Sequence, residues 1–294
     1  MPSLKEVRTR ITSVKSTQQI TSAMKMVAAS KLRKAQNAIL QLRPYAAKLQ
    51  EILQNLSASL EGSDEGKFSG GREINKVLIV VISSNRGLCG AFNANIIKET
   101  LRLLYGEYKD LYKNGQVDLL TIGRKGSEFF ARDEHGTVES SDELFDDMGF
   151  ANVSVLAQRL MDDYVDGKYD KIEIVYNQFK NAAVQRLVVE QFLPVKTDDL
   201  TDEIDDHQID FIFEPDKEQI VTELIPRSLK IQFYKAILDS YASEQGARMT
   251  AMHQATDNAS ELLKELKLTY NKARQADITK EILEIVSGAE ALKG

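Results

Sequence analysis

The chain has no tryptophan, one cysteine, three histidines and five prolines in 294 residues. With Cys89 alone no internal disulfide can form, which suits a reducing compartment. Aromatic residues reach only 7%, which argues against one large aromatic core. His135, His207 and His253 lie far apart, and no run of His, Cys, Asp or Glu has metal-ligand spacing. Cys89 has no neighbouring histidine in sequence to activate it as a nucleophile. No apolar run approaches the roughly 20 residues needed to cross a bilayer, and none near the N-terminus has the form of a signal peptide. Neither a cofactor nor a catalytic constellation is expected, and any membrane association is expected to be indirect.

Charge is unevenly placed. The net charge is −6, yet residues 1–48 carry ten basic side chains against Glu6 alone, a net of +9. Residues 197–218 carry ten acids against Lys217, a net of −9, and read as a solvated acidic loop. A basic arm on an acidic protein calls for an acidic partner: nucleic acid, an anionic membrane or an acidic protein surface.

Both ends repeat every seven residues. At the N-terminus one series is Val7, Val14, Thr21, Ala28, Ala35, Leu42, Leu49, Leu56, and its companion is Ile11, Gln18, Lys25, Leu32, Ile39, Ala46, Leu53, Leu60. Only Gln18, Thr21 and Lys25 interrupt it. A glycine-free run of this kind is a coiled-coil signature, and Pro44 is expected to kink or loosen the helix without ending it. At the C-terminus the series are Leu238, Gln245, Met252, Ala259, Leu266, Ala273 and Tyr241, Arg248, Ala255, Leu262, Thr269, Ala276. That helix is expected from about Ser228 to Val286, with a break at Pro226 and a stop at Ser287-Gly288. The two segments have matched lengths and are joined through a domain, so antiparallel pairing is the economical arrangement. Two separate homodimeric coils are the alternative, but a seam holding Gln18 and Lys25 suits a homodimer poorly.

Between them the period changes. Residues 61–75 (EGSDEGKFSGGREIN) read as a linker. Strands are predicted at 77–82, 117–123, 171–179 and 184–195. Helices are predicted from about Asn93 to Tyr112, from near Lys125, and from Val153 to Val165. Such alternation predicts three layers around a largely parallel sheet. The domains are therefore set at 1–60 (N-terminal helix), 61–75 (linker), 76–217 (central α/β domain) and 218–294 (C-terminal helix).

SSNRGLCGAF at 83–92 sits where α/β folds place phosphate loops, but Gly87 and Gly90 give only G-x-x-G, and no G-K-[ST] follows. A tight turn is the simpler reading. A nucleotide-binding enzyme with helical extensions and a basic nucleic-acid adaptor stay open as alternatives. The apolar seam behind the basic helix favours a protein partner over nucleic acid.

TQQITSAMKMVAASKLRKAQ (17–36), RPYA (43–46), SSNRGLCGAFN (83–93), YASEQGARMTAMHQATDNA (241–259) and KELKLTYNKARQADITKEILEIVSGA (264–289) closely resemble the gamma-subunit family of rotary F-type ATP synthases, in order along the whole chain. The resemblance implies a fold of class α/β: a long antiparallel two-helix coiled coil from the terminal segments plus a central three-layer, Rossmann-like α/β domain. It implies a central-stalk rotor, non-catalytic itself, which couples ion-driven turning of a membrane c ring to ATP synthesis or hydrolysis at an alpha/beta hexamer.

It also implies residue roles. Met24, Lys25, Lys31, Arg33, Lys34 and Arg86 would meet the beta subunits, with the basic residues facing acidic loops; Cys89 shares the loop of Arg86. Arg274, Gln275, Thr279 and Glu281 would engage a beta subunit as a catch. Ile282, Leu283, Ile285 and Val286 would turn in a sleeve at the tip. Asp205, His207, Asp210 and Phe211 would belong to the foot on epsilon and the c ring. One copy per complex is implied. Paired regulatory cysteines of the chloroplast kind are absent, so thiol gating of that sort is excluded. No transit peptide is seen, so a bacterial origin is expected, with the chain peripheral on the cytoplasmic face of the plasma membrane.

Overall fold

The structure, a computed structural model, describes residues 3–57, 68, 72–132, 138–145, 147–195 and 217–291. It forms two compact units, Met1–Ala29 with Arg248–Gly294, and Ser30–Ala247. Among the described residues no helix is long and apolar enough to cross a membrane.

Two helices account for the terminal segments. Helix α1 spans Leu4–Ser57 with Pro44 inside it, so the heptads do continue through the proline. The C-terminal helix, α6 below, spans Lys217–Ala291 and departs from expectation at both ends. It begins eleven residues before Ser228 and carries Pro226 internally instead of breaking there. An interior proline costs about 3 kcal/mol. Leu229 and Ile231, both buried one turn on, offset that cost. Gly288 does not end the helix either, because its backbone is not left-handed and an interior glycine costs only about 1 kcal/mol.

In the first unit the two helices run antiparallel. The Thr21 and Thr256 hydroxyls lie 2.8 Å apart, and Gln18 Nε2 donates to Ser260 Oγ at 2.7 Å. Val7, Thr21 and Ala28 are buried on α1. On α6 Arg248, Met252, Ala259, Leu263 and Leu266 are buried, with Thr256 and Tyr270 half-buried. The first C-terminal series is thus the seam; its companion holds at Arg248, and further along it is displaced by one residue, to Leu263 and Tyr270. Leu263 is 8% exposed and Leu262 38%. Spacings of three and of four are both permitted after a seam position, and with two adjacent leucines hydropathy alone cannot choose between them. Beyond Ala273, residues 274–291 are exposed throughout.

The second unit is built on a five-stranded sheet. Strands β1 (Val77–Ile82), β2 (Val117–Ile122), β3 (Val138–Ser140), β4 (Lys171–Phe179) and β5 (Gln185–Leu193) take the order β3-β2-β1-β4-β5. All pairs are parallel except β4 with β5. Every residue of β1 and β2 is buried. Strand β1 reads as an unbroken apolar run. Strand β2 also buries Asp118, which accepts from the Tyr169 hydroxyl at 3.1 Å, and Thr121, whose hydroxyl meets that of Ser127 at 2.9 Å. Helices cover both faces. Leu78, Val80 and Ile82 pack on α5 (Phe150–Val165) and on Leu229, Phe233, Ala236 and Ile237 of α6. Val77, Ile79 and Val81 pack on α2 (Phe92–Arg102) and on Leu103, Leu104 and Tyr108. The three layers follow.

The stretch predicted as one helix to Tyr112 is α2, a π-helical turn at Leu103–Glu107 and the short α3 (Lys109–Lys113). Helix α4 covers Arg124–Phe130, and α5 starts three residues before Val153. Strand β3 and a 3-10 turn at Asp142–Phe145 had no hydropathy signal to predict them.

Candidate partner-contact surfaces

The first unit offers two exposed apolar faces. On α1, Ile20, Met26 and Val27 are 60%, 65% and 56% exposed. Ile20, Met24 and Val27 follow one another at helical spacing, with Met24 and Lys25 half-buried at the seam's flank. Exposed apolar side chains grouped on one face mark a partner surface. Only Met24 of this stripe was singled out from sequence; the signal for the others is that they are apolar yet fall outside both heptad series.

The second face is the end of α6. Arg274, Gln275, Thr279 and Glu281 are exposed. They are not gathered into a cluster: Thr279 Oγ1 donates only to the Gln275 carbonyl at 2.9 Å, a turn away. Ile278, Ile282, Leu283, Ile285 and Val286 are roughly half exposed or more. Ile278 belongs with the expected tip residues and was missed because it sits among polar neighbours.

In the second unit Lys31, Arg33 and Lys34 are exposed, while Leu32 and Ala35 between and beside them are buried. The loop after β1 is a set of interlocked side chains. Ser84 N–H donates to Asn93 Oδ1 at 3.0 Å, Ser84 Oγ donates to the Arg86 carbonyl at 2.8 Å, and Asn93 Nδ2 donates to Cys89 Sγ at 3.3 Å. Arg86 is therefore carried outward, whereas Cys89 is turned into the core at 2% exposure.

The neighbouring turn after β2 is closed by the protein itself. Gly123 N–H donates to Asp142 Oδ1 at 3.1 Å, Arg124 N–H to Asn85 Oδ1 at 3.0 Å and Gly126 N–H to Ser83 Oγ at 2.8 Å. These amides are the ones a phosphate would need at this helix N-terminus. With these three donors engaged, the amides of this turn are not offered to a phosphate. In the 83–92 loop Gly90 takes a left-handed φ of +60°, which fits the tight-turn reading of Gly87 and Gly90.

A polar band on α6 was not foreseen. Asp239, Ser240, Ser243, Glu244 and Gln245 are all buried. Across from it Glu190 accepts from the Tyr176 hydroxyl at 2.6 Å and from Gln232 Nε2 at 2.7 Å. Burial pushes the Asp239 carboxyl up to about 6; Lys235 and Arg43 pull it down, and Glu190 adds to the rise. Gly246 faces the β4–β5 turn so closely that a Cβ would stand 3.2 Å from the Ala182 carbonyl oxygen.

Asp205, His207, Asp210 and Phe211 lie outside the described residues. Among the described residues no group of three or more His, Cys, Asp or Glu could hold a metal ion.

Comparison with known proteins gives these surfaces a context. The family model described as "ATP synthase" matches residues 3–292. The chain is 58% identical over 294 residues to an ATP synthase gamma chain of Flavobacterium psychrophilum, covering 100% of both. It is 44% identical over 293 residues to one of Chlorobaculum parvum, again covering 100% of both. Among solved structures it is similar to a chain of the Tetrahymena thermophila mitochondrial ATP synthase central stalk and c ring, with TM-score 0.57 and 28% identity, over 80% of this chain and 99% of that one. A chain of the Euglena gracilis mitochondrial ATP synthase shares the fold with TM-score 0.65 at 21% identity, over 98% of this chain and 94% of that one. Matched from end to end, the chain belongs to the ATP synthase gamma chain family, the non-catalytic central-stalk subunits of that complex.

Proposed function

We propose that this chain turns as a single shaft within an alpha/beta hexamer, with the foot of its α/β domain on epsilon and the c ring, at the cytoplasmic face of a bacterial inner membrane. The similar structures support the setting, since they come from central-stalk, F1 and c-ring assemblies. The division of labour follows the chain: 1–60 and 218–294 supply the shaft, 61–75 the linker, and 76–217 the foot. Asp205, His207, Asp210 and Phe211 are assigned to the foot by position.

The observation that carries this reading is the end of α6. Residues 274–291 extend past the seam with Ile282, Leu283, Ile285 and Val286 at 55%, 60%, 67% and 48% exposure. A lone helix with so much exposed apolar surface needs a surrounding partner. The scattered polar residues Arg274, Gln275, Thr279 and Glu281 suit contacts that form and break at each step, because exposed polar pairs contribute only about 0–1 kcal/mol each. Lys25, Lys31, Arg33, Lys34 and Arg86 supply the positive charge for acidic loops on beta. Catalysis stays with the partners, and the chain works by presenting a different side to each of them.

The test is capture from native membranes through an affinity tag on this chain. Co-purification of alpha- and beta-sized bands with ATPase activity, and no hydrolysis by the isolated chain, is the expected result. Recovery of the chain alone, or hydrolysis by the chain itself, overturns the reading.

A further inference from the structure

An apolar seam between two antiparallel helices fixes which faces meet but only weakly fixes how far one helix has slid along the other, because a slide of one heptad returns apolar residues to apolar residues. Near the end of α1 the seam is of this tolerant kind, with Val7, Ile11 and Val14 against the stretch of α6 holding Leu263, Leu266 and Tyr270. The next positions differ. Gln18 Nε2 donates to Ser260 Oγ, and the Thr21 and Thr256 hydroxyls meet at 2.8 Å with Thr21 only 9% exposed.

The hydroxyls on α6 are prepared for these contacts. Thr256 Oγ1 donates to the Met252 carbonyl at 2.7 Å, and Ser260 Oγ donates to the Thr256 carbonyl at 2.9 Å. Ser260 Oγ thus keeps an oxygen lone pair for the Gln18 amide. Thr21 Oγ1 likewise lies 3.1 Å from its own Gln18 carbonyl, so either threonine hydroxyl can supply the proton of the pair while the other donates within its helix.

We propose that the Gln18–Ser260 and Thr21–Thr256 pairs are positioning residues that lock the axial register of the two shaft helices. A slide of one heptad in one direction sets Thr21 against Leu263 and Gln18 against Lys267. The opposite slide sets Thr21 against Met249 and Thr256 against Val14. Either way polar groups lose their partners inside a seam, and leaving them unsatisfied is costlier than the bonds are favourable. Met24 and Lys25 lie on α1, and Arg274 to Val286 on α6. A slipped register would move one set about 10 Å along the other. The consequence for coupling rests on the rotor reading above; the lock itself does not.

The experiment uses the assembled complex with Cys89→Ser in this chain and spin labels at Lys5→Cys and Glu261→Cys, both exposed and on different helices of the first unit. The parent should give one inter-label distance. Thr21→Val with Thr256→Val, which keeps side-chain shape, should add a second distance displaced by about 10 Å. It should also lower proton pumping per ATP hydrolysed several-fold while hydrolysis continues. Gln18→Leu with Ser260→Ala should do the same, so the inference does not depend on one variant folding. A single unchanged distance in both variants overturns the lock. A second distance with undiminished pumping supports the lock and counts against the rotor reading instead.

Discussion

The Ser83 hydroxyl donates to the Gly123 carbonyl and accepts from the Gly126 amide, both at 2.8 Å, so one buried side chain fastens the end of β1 to the start of α4. Gly123 can serve here only as glycine. Its φ is +110°, and a Cβ would fall 2.3 Å from the Ser83 carbonyl oxygen. Gly123→Ala should cost roughly 3 kcal/mol or more, from backbone strain and the clash together. Ser83→Ala should cost about 1–3 kcal/mol, from the donor left buried. Urea unfolding of both variants measures the two losses, and a Gly123→Ala protein as stable as the parent would contradict the assigned geometry.

Leu262 and Leu263 separate the two possible seams. Leu263→Ala should destabilise the first unit by about 2–3 kcal/mol and Leu262→Ala by less than about 1, following their burial. Thermal melts of the two variants decide the matter. Equal losses would mean that the seam is not the one described.

Asp239 predicts a pH dependence of unusual sign for a carboxylate. Its folded pKa is raised from 3.8 to about 6, chiefly by burial. The folded state therefore holds the proton more tightly than the unfolded chain does. This contribution is fully favourable below about pH 4 and is lost as pH rises through about 6. Two pH units correspond to about 2–3 kcal/mol. Subtracting the stability–pH curve of Asp239→Asn from that of the parent should isolate a fall of this size between pH 4 and 7. A flat difference would show that Asp239 titrates normally.

Truncation after Ala273 should leave the melting of the paired helices within about 0.5 kcal/mol of the parent, since residues 274–291 are exposed along their length. ATP-driven proton pumping by the assembled complex should nevertheless fall. A marked loss of stability in the isolated chain would instead show that the end of α6 packs on its own protein.

The fold was legible where burial has a period. Val7, Ala28, Ala35 and Leu49 stood out because of their seven-residue apolar repeat, and β1 because burial on both faces favours an unbroken apolar run. Pro226 misled because local backbone preference points one way and the packing of Leu229 and Ile231 the other. The π-helical turn at Leu103–Glu107 leaves no hydropathy trace, since one extra residue per turn changes register and not composition. The partner surfaces were readable only through motif resemblance. An exposed isoleucine such as Ile282 looks like any core residue until the helix beside it is seen to be missing. The hydroxyl pairs across the seam were visible merely as interruptions; that they complete one another depends on register, which no single segment contains.

Doubly wound sheets that bind a small molecule commonly exist in two forms, an open one awaiting the ligand and a closed one around it. In this domain Asp142, Asn85 and Ser83 take three amides around the turn after β2 into internal hydrogen bonds, so that β1, β2 and α4 are tied by the protein's own side chains. A transmission element gains from such ties, because force applied at one end is passed on instead of being absorbed in local opening.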